Sequence, residues 1–165
     1  GETGVDLYWE TKNKDLQIGA FERQIEWAKE MDLPVIIHSR ESLDLNLDII
    51  ERNQDGNLRG IFHCFGGNHG QAKRIEELGF KAGIGGVVTF KNSSLEKTLP
   101  DISPHLIVLE TDSPYLAPTP YRGKRNEPSY LVLIAQKVAD ILGMSMKEVA
   151  DLTTFNANEV FRKKS

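Results

Sequence analysis

Three short apolar runs constrain this chain more than anything else in it: PVIIH (34–38), GIFHCF (60–65) and HLIVLETD (105–112). Each is apolar at successive positions rather than at every second one. That is the pattern of a strand buried on both faces. Between the runs the apolar spacing becomes helical. Phe21, Ile25 and Ala28 share one face of residues 16–32, and Leu43, Leu47 and Ile50 share one face of 41–52. NHGQAKRIEELG (68–79) reads as a helix closed by Gly79, FKAGIGG (80–86) as a weak, glycine-rich strand, and 93–99 as a short helix. Residues 129–142 and 145–161 read as two further helices with Ser129 and Ser145 as N-caps; Ser145 and Glu148 have capping-box spacing. GETGVDLYW (1–9) reads as the exit of another strand. Strands alternating with helices, each strand buried on both sides, predict an α/β fold with a parallel sheet covered by helices. No internal repeat, low-complexity stretch or linker divides the chain, so residues 1–165 are expected to form one domain.

The chemistry collects at one place in this pattern. The first run ends in His38, the second in His63 and the third in Asp112, while Glu2 stands where the opening strand exits. In parallel α/β folds, sites form at the carboxyl ends of strands. Taken singly, each residue has an ordinary explanation, a satisfied core histidine or an aspartate capping a turn. Four such residues at one edge point instead to a metal site. Two imidazoles and two carboxylates form a mixed nitrogen and oxygen set, suited to Zn, Mn, Fe or Mg rather than to a thiolate metal.

Several neighbours carry expectations of their own. Glu110, two residues before Asp112, either orients a ligand or water as an outer partner or forms an ion pair inside the fold. Asp6 is similarly placed relative to Glu2 and Gly4. Cys64 directly follows His63, so strand alternation sends it to the opposite face as a packed thiol. His105, before its strand, and His69, opening a helix, are expected at the surface. Arg122, Lys124 and Arg125 crowd the loop YRGKRNEP (121–128), where they either meet phosphate or are simply solvated.

Composition narrows the function classes. A net charge of -4 argues against a protein that coats nucleic acid through a broad basic face. It leaves open an enzyme that grips a few phosphates through metal ions. No apolar run is long enough to cross a bilayer. A single cysteine excludes an intrachain disulfide and suits a reducing compartment, hence a cytoplasmic setting. No secretory leader opens the sequence, which starts at GETG without Met.

Read in order, GETGVD, PVIIHSRES, GIFHCFGGN and ETDSPYLAPTPYRGKRNEPSY resemble the TatD family of metal-dependent deoxyribonucleases, within the amidohydrolase-like barrels. The likeness continues to NANEVF (156–161). It implies a (β/α)8 barrel hydrolase that cuts DNA phosphodiester bonds with two divalent ions, Mg, Mn or Zn. By motif, Glu2 would bridge the two metals, and His38 and His63 would complete the second metal site. Asp112 would bind the first metal and handle the proton of the attacking water. Arg122, with Lys124 beside it, would meet the substrate.

The sequence departs from the family at one point. Family members open with a strand carrying His-x-His, which holds the first metal, and no His-x-His occurs here. A full barrel of this type needs on the order of 250 residues. The chain is therefore expected to be a partial TIM barrel, the C-terminal portion with about five of eight strand–helix units. Such a form should bind metal weakly and turn over little, and open strand edges would favour a swapped or clustered homo-oligomer. Two other functions fit the same scaffold: a metal-dependent hydrolase of amides, lactones or aminoacyl esters, and a non-catalytic barrel piece acting by association. The basic loop leans toward phosphate.

Overall fold

The structure is a computed structural model that describes residues 2–9 and 11–161. Pro34 delivers the chain into β1 (Val35–Ile37), and three more strands follow: β2 (Gly60–Phe62), β3 (Lys81–Ile84) and β4 (Ile107–Leu109). All are parallel and lie in sequence order, with Val35 opposite Gly60, Ile61 opposite Lys81 and Ala82 opposite Ile107. The opening segment joins the outer side of β1 through parallel bridges from Thr3 to Ile37 and from Asp6 to Arg40. The expected strand exit is therefore present, as two bridges rather than a ladder.

Helices α1 (Lys14–Glu30), α2 (Leu43–Asn53), α3 (His69–Glu77) and α4 (Leu95–Thr98) fill the crossovers, and α5 (Leu131–Leu142) and α6 (Met146–Phe161) follow β4. The apolar stripes of α1–α5, with Val149 of α6, meet one face of the sheet. Phe21, Ile25, Leu47, Ile50, Phe62, Phe80, Ile84, Ile134 and Val138 form one continuous core. Alternate strand residues face the other way: Ile61 and Val108, with Ile36, pack against Ala157 and Val160 of α6. This two-sided burial is why the strands read as unbroken apolar runs. The architecture is α/β, a parallel sheet curving as part of a barrel. Among the described residues no single helix is long and apolar enough to cross a membrane.

Two local expectations need correction. Ser129 does not cap α5. It lies inside a 3-10 turn, Pro128–Tyr130, and the helix begins at Leu131 without a side-chain cap. Pro128 fixes φ for that tighter turn, which carries the chain into the helix. The strands are also shorter than the apolar runs. Cys64 (φ 49°) and Asp112 (φ 57°) adopt left-handed backbone, which ends the pairing early and turns the chain across the rim. The Ser145–Glu148 capping box is formed: Glu148 N–H donates to Ser145 Oγ (3.2 Å) and Ser145 N–H to Glu148 Oε2 (2.8 Å). Gly79 (φ 76°) follows the end of α3, as the sequence requires.

Candidate metal centre

Glu2 reaches the rim because Gly4 allows an unusually close approach. Thr3 N–H donates to Ile36 O (2.9 Å) and His38 N–H to Thr3 O (2.7 Å). A Cβ on Gly4 would lie 2.2 Å from the His38 carbonyl oxygen, and its φ of 135° suits glycine. The segment can therefore lie flat against His38. Glu2 Oε2 is then 3.2 Å from His63 Nε2, and Glu2 Oε1 is 4.0 Å from His38 Nδ1. The two imidazoles stack with centroids 6.2 Å apart. On its far side His38 Nε2 meets Asp6 Oδ2 at 2.8 Å, which leaves Nδ1 turned to Glu2. Burial works against ionisation of Asp6. Its bond with His38 and the Tyr8 N–H nevertheless hold the carboxyl below its usual range. A carboxylate behind a histidine in this way fixes the ring and its tautomer.

The second half converges on the other nitrogen of His63. Nδ1 lies 3.2 Å from Glu110 Oε1 and 3.4 Å from Asp112 Oδ1. Cys64 N–H also donates to Glu110 Oε1. Gly83 makes room for that carboxylate, since a Cβ there would lie 2.3 Å from Glu110 Oε2. Asn126 Nδ2 donates to Thr111 O and Tyr115 O, bracketing Asp112.

Charge around His63 is unbalanced. The hydrogen bond to Glu110 raises its pKa to about 9 against the cost of burial, helped by the charges of Glu110, Asp112 and Glu2. Asp112 is pushed up by burial, though His63 opposes the shift; Glu110 and Glu2 add repulsion. Burial, then Asp112 and Glu110, push the Cys64 thiol up to about 12. Three carboxylates thus face one base, an excess that a divalent cation would relieve. The donor chemistry fits such an ion: nitrogen and carboxylate oxygen, the neutral thiol unsuited to ligation.

The expected ligands come together as two groups rather than one. Glu2, His38 and His63 offer atoms all within 4.8 Å of one another, and so do His63, Glu110 and Asp112. His63 is common to both. Glu110, left open between an outer partner and an ion pair, sits directly in the second group. The expectation for Cys64 is overturned. The strand has already ended at Phe62, so alternation does not apply, and the thiol feels the charges of Asp112 and Glu110 on the rim side. His69 and His105 are exposed, as expected. Arg122 lies with its guanidinium 4.3 Å over the Phe90 ring, and both Arg122 and Lys124 are exposed. Among the described residues, neither makes an ion pair with the two groups.

Three residues that shape the rim were not singled out from the sequence. Ser42, Asn46 and Asn126 are buried polar side chains. Asn46 carried a signal, an amide among Leu43, Leu47 and Ile50 on a helix face meant for the core. Asn126 carried none.

A parallel α/β sheet with carboxylate and imidazole groups gathered at the strand ends defines a metal-site protein of the barrel class. The chain belongs to the TatD family: the family model described as TatD related DNase matches residues 1–162. It is 40% identical over 163 residues to YabD of Bacillus subtilis, named as an uncharacterized metal-dependent hydrolase, covering 98% of this chain and 64% of that protein. It is 35% identical to YcfH of Escherichia coli K12, named likewise, covering 98% and 61%. The crystal structure of YjjV, a TatD homolog from E. coli, superposes with a TM-score of 0.91 at 28% identity, covering 98% of this chain and 62% of that one. An uncharacterized amidohydrolase of Saccharomyces cerevisiae shares the fold at TM-score 0.83 and 17% identity, covering 98% and 64%. The chain spans a little under two thirds of the length of these relatives.

Proposed function

We propose that the rim binds divalent cations, Mg, Mn or Zn, and serves a hydrolase that cuts phosphodiester bonds in DNA. The observation that carries this reading is the sharing of His63 between two ligand groups, one through each ring nitrogen. The family description and the metal-dependent hydrolases among the relatives support it. A bound divalent cation supplies Lewis-acid polarisation of a phosphoryl oxygen and a more acidic water at neutral pH.

The chain's own residues divide the remaining work. Glu2 lies against His63 and 4.0 Å from His38, in position to share one ion with both or to bridge two. Asp6 fixes His38, and Glu110 fixes His63. Asp112, pushed above its usual carboxyl range chiefly by burial, is a better proton acceptor for an attacking water than an ordinary aspartate. Arg122 and Lys124 lie beyond β4 in the loop that would meet the phosphodiester. Asp112 and Glu2 are the catalytic pair in this reading. A complete centre would hold two ions, and the His-x-His of the family has no counterpart in these 165 residues. Turnover by this chain alone is accordingly expected to be far below that of one carrying such a strand.

Calorimetric titration with Mn, beside cleavage of a labelled oligodeoxynucleotide, tests the reading. His63→Ala should weaken Mn binding more than either His38→Ala or Asp112→Asn, each of which touches one group only; those two should cost about 10- to 100-fold. Unchanged Mn binding in His63→Ala would remove the proposal. Cleavage of aminoacyl esters in place of DNA would move it to carbon-centred substrates.

A further inference from the structure

Just past the segment that carries Glu2 and Asp6, the chain presents Tyr8 and Trp9 to solvent, 48% and 76% exposed. Isolated exposed rings are ordinary. These two are assembled. They meet edge to face with centroids 4.8 Å apart, and the Arg40 guanidinium lies 3.5 Å over the Tyr8 ring and 5.2 Å from the Trp9 ring. The group is tied to the rim by short links. Tyr8 N–H donates to Asp6 Oδ1 (2.9 Å), and the other oxygen of that carboxylate holds His38. Leu7 N–H donates to Arg40 O (3.0 Å), and Arg40 N–H to Ser42 Oγ (3.1 Å). Arg40 follows β1 by three residues, so the platform stands at the same strand ends as the candidate ligands. A second arginine-on-ring pair, Arg122 over Phe90, follows β4 and β3 at that edge. Among the described residues no carboxylate forms an ion pair with Arg40 or Arg122.

We propose that Arg40, Tyr8 and Trp9 form a base-stacking subsite that holds an unpaired nucleobase while the neighbouring phosphate lies at the metal rim. An exposed indole offers a π-face to any base, and stacking of this kind tolerates sequence. The guanidinium over Tyr8 keeps its N–H donors at the ring edge, where they can take a phosphate oxygen. Bases inside a duplex are already stacked on each other, so the subsite selects a single strand or a frayed end. The location beside the rim rests on the hydrolase reading; the binding event does not.

The test uses the full chain with Trp27→Phe, which leaves Trp9 as its one tryptophan. In EDTA, a single-stranded thymidine octamer is expected to quench Trp9 emission. An abasic octamer with the same phosphates, and a duplex, should bind about tenfold more weakly. By polarisation of a labelled octamer, Trp9→Ala and Arg40→Ala should each weaken binding about tenfold, while Trp9→Phe keeps it. Equal binding of the abasic strand, no quenching at millimolar strand, or unchanged binding in Trp9→Ala overturns the subsite, and the platform is then a contact for another polypeptide. Quenching with no calorimetric Mn binding leaves the subsite standing and removes the metal-site reading. Cleavage with an unchanged KM in Trp9→Ala does the reverse.

Discussion

On one side of His63 the ligand-bearing backbone is gripped from a helix, and on the other from a loop. Asn46 of α2, fully buried, accepts from Val5 N–H (3.0 Å) and donates to His38 O (2.9 Å) and Ser39 Oγ (2.8 Å). Ser42 at the start of the same helix donates to Val5 O. Two strand ends far apart in sequence are thereby fastened to one rigid element. Asn126, 2% exposed, does the comparable service for Asp112, but from its own loop: it donates to Thr111 O and Tyr115 O and accepts from Glu127 N–H (2.8 Å). An amide is chosen in both places because it donates and accepts at once. The settings differ in consequence. Asn46 joins parts of the fold to each other, whereas Asn126 shapes one connection after the sheet is complete.

The largest expected effect follows from that contrast. Asn46→Ala strands the buried Val5 N–H and the His38 carbonyl together, which should cost about 3 kcal/mol of stability in urea unfolding. Asn126→Ala should cost only about 1–2 kcal/mol, yet weaken Mn binding, because the backbone on both sides of Asp112 loses its anchor. A greater loss of stability at Asn126 than at Asn46 would reverse the comparison.

A second effect tests the charge that the two halves share. Without metal, His63 has a folded pKa of about 9 against 6.5 for the free side chain. Its pairing with carboxylates therefore stabilises the fold fully below about pH 6.5 and is lost as pH rises through 9, a change of about 3 kcal/mol. Asp112 carries the same sign. Its raised pKa means the folded chain binds that proton more tightly than the unfolded one, so stability falls as pH climbs above the ordinary carboxyl range. Melting in EDTA should accordingly show Tm decreasing from pH 6 to 9.5. Saturating Mn takes over the proton's role and should flatten or invert that slope. A Tm that rises with pH in EDTA would mean that the three carboxylates do not bear on His63.

The sequence made the sheet legible because doubly buried parallel strands leave unbroken apolar runs, and it made four candidate ligands legible because three terminate those runs and Glu2 stands at the exit of the opening segment. It could not show that the four would divide into two groups around His63. That depends on which nitrogen each carboxylate faces, a matter of side-chain direction rather than spacing. Cys64 was misread for a related reason. Alternation holds only while the strand continues, and the left-handed turn at Cys64 brings the thiol back to the rim. Asn126 left no mark, since an amide in a basic loop looks like every solvated amide. Tyr8 and Trp9 read as the tail of a strand; only the guanidinium of Arg40, about thirty residues away, makes them a platform.

The smallest effect sharpens the comparison at two glycines, one in each half. A Cβ on Gly4 would strike the His38 carbonyl at 2.2 Å, and backbone cannot step aside without breaking the Thr3–His38 pairing. A Cβ on Gly83 would strike Glu110 Oε2 at 2.3 Å, the mobile end of a side chain. The Gly83–Val108 pairing between β3 and β4 need not change. Gly83→Ala should therefore fold with a loss under about 1 kcal/mol, while the displaced carboxylate gives up His63 and the Cys64 N–H. Mn affinity should fall about tenfold, and the fall should be absent in a Glu110→Gln background, where there is no charge left to displace. If Gly83→Ala instead unfolds the chain as Gly4→Ala is expected to, Glu110 is pinned as rigidly as the backbone, and the loop-held half of the rim is no softer than the helix-held one.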